Sequence, residues 1–260
     1  MESLDLAGRK GLVVGIANED SLAWSAAKHF HEAGAELAIT YINDRTRPFV
    51  APLAQSIAAP IFLPCNVAAS AELDAVFAAM RERWGRLDLV FHSIGWAPQE
   101  DIHGRLIDCS AEGFAEAMRV SCHSFIRLAK LAEPLMDRGG SLTTLTYYGA
   151  EKVVEHYNVM GPVKAALEAS VRYLAHELGP KSVRVNAISA GPVRTRAASG
   201  LTHFDELLAE VAHKAPQRRV VDACEVGRMA LLLASPYASA VTGEIVHVDA
   251  GYHIEGMVFH

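Results

Sequence analysis

The feature that most constrains the fold is the regular alternation of short apolar runs with longer segments of helical periodicity. Residues 11–14 form a first apolar run, and residues 37–41 form a second. Between them, residues 21–33 carry apolar side chains at helical spacing, and the segment closes at Gly34. A strand, a helix and a second strand in this order are typical of a parallel βαβ unit. The chain therefore begins as an α/β protein.

The same alternation continues to the end of the chain. The predicted strands are residues 11–14, 37–41, 61–63, 87–91, 141–145, 183–188 and 244–248. The predicted helices include residues 21–33, 71–84, 111–136, 157–178 and 222–233, and residues 194–214 are predicted to be a loop with a short helical piece. No linker or repeat interrupts this pattern. We predict one domain over residues 1–260, a Rossmann-like three-layer sandwich with a mostly parallel seven-stranded sheet.

Composition and charge exclude several classes of partner. The 24 basic and 30 acidic side chains give a net charge of −6, and no block of Lys and Arg is present. Nucleic acid is therefore not an expected partner. The four cysteines are irregularly spaced without a C-x-x-C pair, so we expect reduced thiols. The twelve histidines include no H-x-x-x-H pattern, and we expect no metal.

The sequence shows neither the pattern of a secretory signal nor that of a membrane span. The first ten residues include Glu2, Asp5, Arg9 and Lys10 and lack an apolar core, which is unlike a secretory signal. No apolar run approaches the roughly 20 residues that span a bilayer. We therefore expect a cytoplasmic protein without a membrane partner.

Small and hydroxylated residues follow several of the predicted strands. The segments are residues 15–21, 93–95, 146–147 and 189–195. Because the carboxyl ends of parallel strands meet at one edge, these segments should lie together. Backbone amides and helix N-termini at such an edge suit a pyrophosphate-bearing ligand. The first turn, from Gly15 to Ser21, lacks the G-x-G-x-x-G pattern, so by itself it fits an ordinary helix start equally well.

A phenol and an ammonium stand seven residues apart in the predicted helix 157–178. Tyr157 and Lys164 would then share one helix face, about 10 Å apart along the axis. The ammonium would favour the phenolate, and the pair could engage a substrate carbonyl and a cofactor ribose. Spacing alone equally allows a packed Tyr157 and a solvated Lys164. A second pair, Tyr148 and Lys152, follows the fifth strand too closely to be the catalytic pair.

Five ordered segments make the pattern specific. They are Ser-Leu-Ala at 21–23, His-Ser-Ile-Gly at 92–95, Tyr-x-Gly-Ala-Glu at 147–151, Tyr-Asn-Val-Met-Gly at 157–161, and Arg-Val-Asn-Ala-Ile-Ser-Ala-Gly-Pro at 184–192. Across essentially the whole chain the sequence resembles the enoyl-acyl-carrier-protein reductases, a divergent branch of the short-chain dehydrogenases/reductases. The resemblance implies reduction of a trans-2-enoyl thioester on acyl carrier protein by NAD(P)H in fatty-acid elongation. It also implies a homotetramer.

The resemblance assigns roles to individual residues. Tyr157 would hydrogen-bond the developing enolate oxygen, Lys164 would hold the cofactor ribose, and Tyr147 is the second active-site phenol. The implied substrate contacts are Ala97, Tyr147 and Tyr157, and the implied mobile substrate loop is approximately 194–214. The implied cofactor contacts are Gly15, Ser21, Leu22, Ile42, Asn66, Val67, Ser93, Ile94, Gly95, Lys164, Gly191, Pro192, Val193, Arg194, Thr195, Arg196 and Ala197.

Some positions depart from the family pattern. Ile42 replaces a common Gln and Asn66 replaces a common Asp, which puts the contacts at the adenine end in doubt, and Trp96 stands where Phe or Tyr is common. Pro162 should kink the catalytic helix unless it lies in the first turn.

The choice of cofactor depends on the end of the second strand, which lacks the acidic residue typical of NAD-binding domains. Arg45 and Arg47 could meet a 2′-phosphate, which keeps NADPH as the alternative. The lack of a phosphate clamp at Ile42 favours NADH.

Two other functions remain open at this point. A carbonyl or alcohol dehydrogenase of the same superfamily, acting on 3-oxoacyl thioesters or other carbonyl substrates, would share the fold. A non-catalytic dinucleotide-binding protein would also share it, although the retained phenol and lysine argue against that alternative.

Overall fold

The computed structural model describes residues 4–195 and 204–256, which contain seven strands and nine α-helices. The strands are β1 Lys10–Val14, β2 Glu36–Tyr41, β3 Ile61–Pro64, β4 Leu89–His92, β5 Gly140–Thr146, β6 Val183–Ala190 and β7 Ile245–Val248. The helices are α1 Leu22–Glu32, α2 Arg47–Ser56, α3 Ser70–Trp84, α4 Gln99–Ile102, α5 Ala111–Met118, α6 Ser124–Ala132, α7 Met160–Leu178, α8 Phe204–Lys214 and α9 Ala223–Ala234. All seven predicted strands are present.

The strands form one sheet in the order β3-β2-β1-β4-β5-β6-β7, and every neighbouring pair is parallel. From β1 the chain first builds towards β3, and it then returns to build from β4 to β7 on the other side. The strand order therefore reverses between β1 and β4. In open parallel sheets this reversal leaves a crevice outside the carboxyl ends of the strands, which is where ligands bind.

Helices cover both faces of the sheet, which explains why strands such as β1 and β4 are largely apolar and buried almost throughout. Along β1, Leu12 and Val14 belong to the core that includes residues of α3, α5, α6 and α7, whereas Val13 belongs to the core that includes residues of α1, α2 and α9. Successive side chains of a strand point to opposite faces, so a sheet buried on both sides needs continuous apolar runs. The predicted three-layer architecture is confirmed.

The start of predicted helix 157–178 differs from the prediction. Helix α7 begins at Met160, so Tyr157 lies in the preceding turn and does not share a helix face with Lys164. His156 and Asn158 in this turn have φ values of 64° and 39°, which are incompatible with a continuing right-handed helix. Pro162 is consequently the third residue of α7, in the first turn, where no intrahelical donor is lost.

The remaining helix predictions agree with the structure in position but differ in detail. Predicted helix 111–136 is divided by a π-helical turn, Arg119–His123, between α5 and α6. In predicted loop 194–214, the described residues include the eleven-residue helix α8. Helix α2 adds a helix that the periodicity had not indicated. Among the described residues, no helix is both long enough and apolar enough to cross a membrane.

Candidate active site

Gly15 allows the turn after β1 to pack against the loop that follows β4. Gly15 has φ +102°, and a Cβ at this position would stand 2.0 Å from the Ser93 carbonyl oxygen. The Ser93 N–H donates to Val14 O at 3.0 Å. Only glycine permits this approach, because it lacks the Cβ and adopts positive φ without strain. The turn after β1 is therefore packed directly beside the residues after β4.

Ser21 organises the same turn. Its Oγ accepts from the N–H groups of Ala17 and Asn18 at 3.0 and 3.1 Å and donates to Asn18 Oδ1 at 3.1 Å. It accepts no hydrogen bond from the helix that it precedes. The first amides of α1, beginning at Leu22, are thus without a side-chain cap from Ser21, and an anion at this helix end would be stabilised.

The segment after β4 lines the crevice. Ile94 contributes its carbonyl oxygen to a 3.4 Å hydrogen bond from Lys164 Nζ, and a Cβ on Gly95 would stand 3.6 Å from the same nitrogen. Ser121 fixes the next residue by accepting from Trp96 N–H at 2.8 Å and donating to Trp96 O at 2.7 Å. Ala97 is buried. The predicted residues 94, 95 and 97 therefore lie on the Lys164 side of the sheet edge.

The two predicted phenols lie together. The rings of Tyr147 and Tyr157 have centroids 4.9 Å apart and an interplanar angle of 65°, an edge-to-face arrangement. Gly149 leaves room for this pair, since a Cβ there would stand 2.5 Å from Tyr157 Cδ1. Asn158, the next residue, donates from Nδ2 to Asp101 O at 3.1 Å. The turn that presents Tyr157 is therefore anchored to α4.

The expectation that a lysine ammonium stabilises the Tyr157 phenolate is wrong for this structure. Burial is the main cause that raises the pKa of Tyr157 far above its ordinary value, and Tyr147 and Glu168 raise it further. The pKa of Tyr147 is also raised, chiefly by burial. Both side chains are therefore neutral phenols near neutral pH and can donate hydrogen bonds.

Lys164 is buried rather than solvated. Its Nζ donates to Leu145 O at 2.8 Å and to Ile94 O, so the ammonium joins the ends of β4 and β5. Burial lowers its pKa to about 8, while Cys122 and Glu168 act in the opposite direction. The alternative of a solvated lysine is excluded, and the ammonium is held at the edge where the strands end.

Glu168 is a functional candidate that the sequence analysis missed. It lies one helical turn after Lys164, is 6% exposed, and accepts from Thr146 Oγ1 at 2.7 Å. Burial raises the pKa of its carboxyl, and Lys164 lowers it. A Glu four residues after a Lys on a predicted helix was the available signal.

His92 is a second buried polar residue near Lys164. Its Nδ1 and Nε2 contact Thr144 Oγ1 at 2.8 Å and Ser124 Oγ at 2.9 Å, so it links β4, β5 and α6. Burial, followed by the Lys164 charge, lowers the pKa of His92 to about 3. The imidazole is therefore neutral and positions the end of β4.

The residues predicted for the adenine end follow β2 and β3. Ile42 is 51% exposed after β2, and Val67 is buried after β3. Asn66 accepts from Ala68 N–H at 3.0 Å through Oδ1, and its own N–H donates to Glu72. These contacts fix the backbone and the side-chain oxygen of Asn66 in the turn after β3.

The loop after β6 completes the edge. Gly191 donates to Val248 O at 2.8 Å, and a Cβ there would stand 3.1 Å from Asp249 Cα. Pro192 is buried, Val193 and Thr195 are half-buried, and Arg194 pairs with Asp205 of α8 at 2.6 Å. The predicted contacts Arg196 and Ala197 lie outside the described residues.

The rejected tyrosine and the histidines occupy other surroundings. Tyr148 packs edge-to-face on Tyr252 with centroids 5.5 Å apart, and it belongs to a short 3₁₀ turn after β5. In the described part of the chain, no three His, Cys, Asp or Glu side chains converge as metal ligands. The geometry instead gathers two phenols, an ammonium and close-packed glycine turns at one edge.

Comparison with known proteins identifies this arrangement. The profile of the family described as enoyl-(acyl carrier protein) reductase matches residues 15–253. The chain belongs to this family. A reductase named enoyl-[acyl-carrier-protein] reductase [NADH] 1, from Rhizobium meliloti, is 50% identical over 250 residues, which cover 96% of this chain and 92% of the relative.

Solved structures of the same enoyl reductase family share the fold. The enzyme from Anaplasma phagocytophilum in complex with NAD has 47% identity and a TM-score of 0.94, covering 99% of this chain and 98% of that one. The Bacillus cereus enzyme with NADP⁺ and indole naphthyridinone has 44% identity and a TM-score of 0.95, covering 99% and 100%. The Rossmann-like α/β fold predicted from the sequence is therefore confirmed.

Proposed function

We propose that the protein is an NADH-dependent enoyl-acyl-carrier-protein reductase that reduces the carbon–carbon double bond of trans-2-enoyl thioesters in fatty-acid synthesis. The observation that carries this proposal is the Tyr147–Tyr157 pair together with buried Lys164, which is held at the ends of β4 and β5. Relatives at this level of identity are named as NADH-dependent enoyl reductases. The substrate is accordingly a thioester carried by acyl carrier protein.

The sheet edge fits a dinucleotide. Gly15 and Gly191 stand where added Cβ atoms would strike neighbouring backbone, and such turns let backbone amides approach a pyrophosphate. The uncapped start of α1 adds a partial positive charge. We assign the cofactor contacts to Gly15, Ser21, Leu22, Ile42, Asn66, Val67, Ser93, Ile94, Gly95, Lys164, Gly191, Pro192, Val193, Arg194, Thr195, Arg196 and Ala197.

The end of β2 favours NADH over NADPH. Exposed Ile42 offers no charge to a 2′-phosphate. Arg45 and Arg47 are exposed beyond it, where they carry no fixed geometry toward a phosphate. The names of the relatives specify NADH.

When bound, NADH supplies the hydride that the β-carbon of the substrate accepts. Negative charge then develops on the thioester oxygen. The neutral Tyr157 hydroxyl holds a proton and donates it to that oxygen as a hydrogen bond, which stabilises the charge in a site shielded from water. Tyr147 packs on Tyr157 and fixes its ring, and Ala97 contributes a small apolar surface for the acyl chain.

Lys164 serves the cofactor rather than Tyr157. Two of its donor directions are used by Leu145 O and Ile94 O, which fix the ammonium at the edge. An ammonium has three donors, so one remains for the ribose hydroxyls of the nicotinamide nucleoside. This assignment explains why a buried cation is retained although burial disfavours its charge.

We also propose a single domain and a homotetramer. The described helices pack on one sheet, which supports one domain over residues 1–260. Phe114 on α5 and Tyr173 on α7 are 39% and 72% exposed, and they leave apolar surface on adjacent helices for a subunit contact. The substrate loop of approximately 194–214 includes α8 at its end.

The rate of NADH oxidation tests the proposal. Purified protein is mixed with NADH or NADPH and with trans-2-enoyl thioesters or the matched 3-oxoacyl thioesters. We expect oxidation of NADH with the enoyl series alone, and Tyr148→Phe serves as a matched control for Tyr157→Phe. Oxidation with only the 3-oxo series would support a carbonyl reductase. Tight NADH binding without turnover would support a non-catalytic dinucleotide-binding protein.

A further inference from the structure

A cluster of three side chains lies between α1 and α9, apart from the residues of the candidate active site. We call Cys224, His29 and Arg228 the Cys224 cluster. The Cys224 Sγ is 3.5 Å from His29 Nε2, and Arg228 Nη2 donates to the same sulfur at 3.3 Å. Cys224 and His29 are half-buried, and Arg228 is exposed. The sulfur therefore faces a base and a cation near the protein surface.

The tautomer of the neutral His29 ring is set by the contact of its other nitrogen. His29 Nδ1 is 2.8 Å from Ser25 O, and a carbonyl oxygen can only accept a hydrogen bond. Nδ1 therefore carries the hydrogen, and in the neutral imidazole Nε2 presents its lone pair to Cys224. The thiol donates its proton toward Nε2, which is the geometry of a thiol beside a general base.

Cys224 also lies at the N-terminal end of α9. It is the second residue of this helix, where the partial positive charge of the helix N-terminus stabilises an anion. The nearby carboxylates are engaged elsewhere. Asp222 accepts from the N–H of Glu225, and Glu225 pairs with Arg219 through two hydrogen bonds. Arg228 is thus the charged group in contact with the sulfur.

A glycine allows the two helices to form this cluster. A Cβ at Gly227 would stand 2.6 Å from His29 Nδ1 and from Ser25 Oγ. Ser25 Oγ also donates to Ala223 O at 2.7 Å, so the start of α9 is tied to α1. The imidazole occupies the space above Gly227, and both helices hold it against the thiol.

The other three cysteines have opposite surroundings. Cys65 and Cys122 are buried, and burial raises the pKa of Cys65 to about 12 and raises that of Cys122. Cys109 is half-buried like Cys224, but burial and the Asp101 carboxylate raise its pKa. These three thiols are disfavoured as thiolates and serve as internal controls. Cys224 differs from them because it faces an imidazole and a guanidinium.

We propose that Cys224 is a nucleophilic modification site for alkenes conjugated to a carbonyl group. The thiol proton passes to His29 Nε2, and the sulfur forms a bond to the β-carbon of the alkene. The π electron pair moves to the α-carbon, which takes the proton from the His29 imidazolium. The product is a thioether, all atoms are retained, and no oxidant is needed. This reactivity does not depend on the reductase activity.

N-ethylmaleimide, a conjugated imide, is the probe for the site. The intact full-length protein is treated with a limiting amount near neutral pH, quenched at intervals and digested, and each cysteine peptide is quantified by mass spectrometry. We expect Cys224 to be labelled about tenfold faster than Cys109, with Cys65 and Cys122 slowest. Labelling in denaturant should bring the four rates close together, which shows that the difference comes from the fold.

Substitutions distinguish whether Cys224 reacts fast because His29 acts as a base or only because its thiol is exposed. His29→Gln removes the basic nitrogen and should lower the Cys224 labelling rate about tenfold, and Arg228→Gln should lower it less. His31→Gln, an exposed residue on the same helix, should leave the rate unchanged. Unchanged thermal unfolding verifies that each variant is folded. The proposal is overturned if Cys109 reacts as fast as Cys224, or if His29→Gln and His31→Gln behave alike.

Discussion

At the scale of single residues, burial determines which proton each functional group of the site holds. Tyr157 remains a neutral donor because burial and its neighbours disfavour a phenolate. Lys164 has its pKa lowered to about 8 by the same physical cause. As pH rises, Lys164 therefore loses its proton before Tyr157 does. Free side chains show the opposite order, because a free tyrosine has a slightly lower pKa than a free lysine.

Removal of the Tyr157 hydroxyl tests its role as a donor. We expect Tyr157→Phe to lower kcat on enoyl thioesters about a hundredfold or more, because the developing oxygen charge loses its donor. The Kd for NADH should change little. Stopped-flow turnover and fluorescence titration of NADH measure the two quantities. A rise in the NADH Kd with an unchanged kcat would contradict the role.

The charge of Lys164 should appear in the pH dependence of cofactor binding. The lysine is cationic below its pKa of about 8 and neutral above it, so NADH affinity should fall as pH rises through that value. Glu168 raises the pKa of Lys164, and Glu168→Gln should therefore shift this fall to lower pH. Titration of NADH over roughly pH 6 to 10 measures the midpoint of this fall. An identical midpoint in Lys164→Met would show that another group titrates.

The sequence predicted which residues lie at this edge of the sheet, but not which of them carry a proton near neutral pH. Tyr147, Tyr157 and Lys164 were found because their family pattern is specific. The partners of Lys164 Nζ are backbone carbonyls 19 and 70 residues away in the chain, and spacing carries no information about them. Glu168 was missed although it lies four residues after Lys164, because its contact with Thr146 depends on how α7 crosses β5.

At the scale of elements, the turn after β1 depends on one glycine. The positive φ of Gly15 and the nearby Ser93 carbonyl leave no space for a side chain. We expect Gly15→Ala to lower the free energy of unfolding by about 3 kcal/mol and to weaken NADH binding. Urea unfolding and NADH titration measure these effects.

Gly8 provides the matched control for this substitution. It also has positive φ, +75°, but a Cβ there meets no atom within 4 Å. Gly8→Ala should cost only about 1–2 kcal/mol, the price of the backbone conformation itself, and leave NADH binding intact. Equal losses in the two variants would mean that the close approach to Ser93 contributes nothing.

The elements of the sheet were the easiest part to predict, and the start of α7 was the hardest. Strands such as β1 and β4 are largely apolar because both faces of the sheet are covered, so they stood out in the sequence. Before α7, His156 and Asn158 adopt left-handed backbone conformations, and Asn158 bonds to carbonyls near residue 101. Helical periodicity continues through this turn, and only these distant contacts reveal where the helix begins.

At the scale of the whole molecule, the proposed homotetramer has a direct test. Light scattering should give a mass about four times the 28.1 kDa of one chain. Phe114→Lys combined with Tyr173→Lys should lower the mass, because charges would replace exposed apolar surface on α5 and α7. Leu4→Lys, at another exposed apolar residue, should not. A wild-type mass of one chain would contradict the tetramer.

The strand order also has a consequence for protein synthesis. The strand order reverses between β1 and β4, and the proposed cofactor edge needs both Gly15, in the turn after β1, and Gly191, which packs on Asp249 after β7. A chain still emerging from the ribosome can bury apolar strands long before it holds both halves of that edge. If Gly15 and Gly191 both contact NADH as proposed, the nascent protein reaches its last strand without stabilisation by its own cofactor.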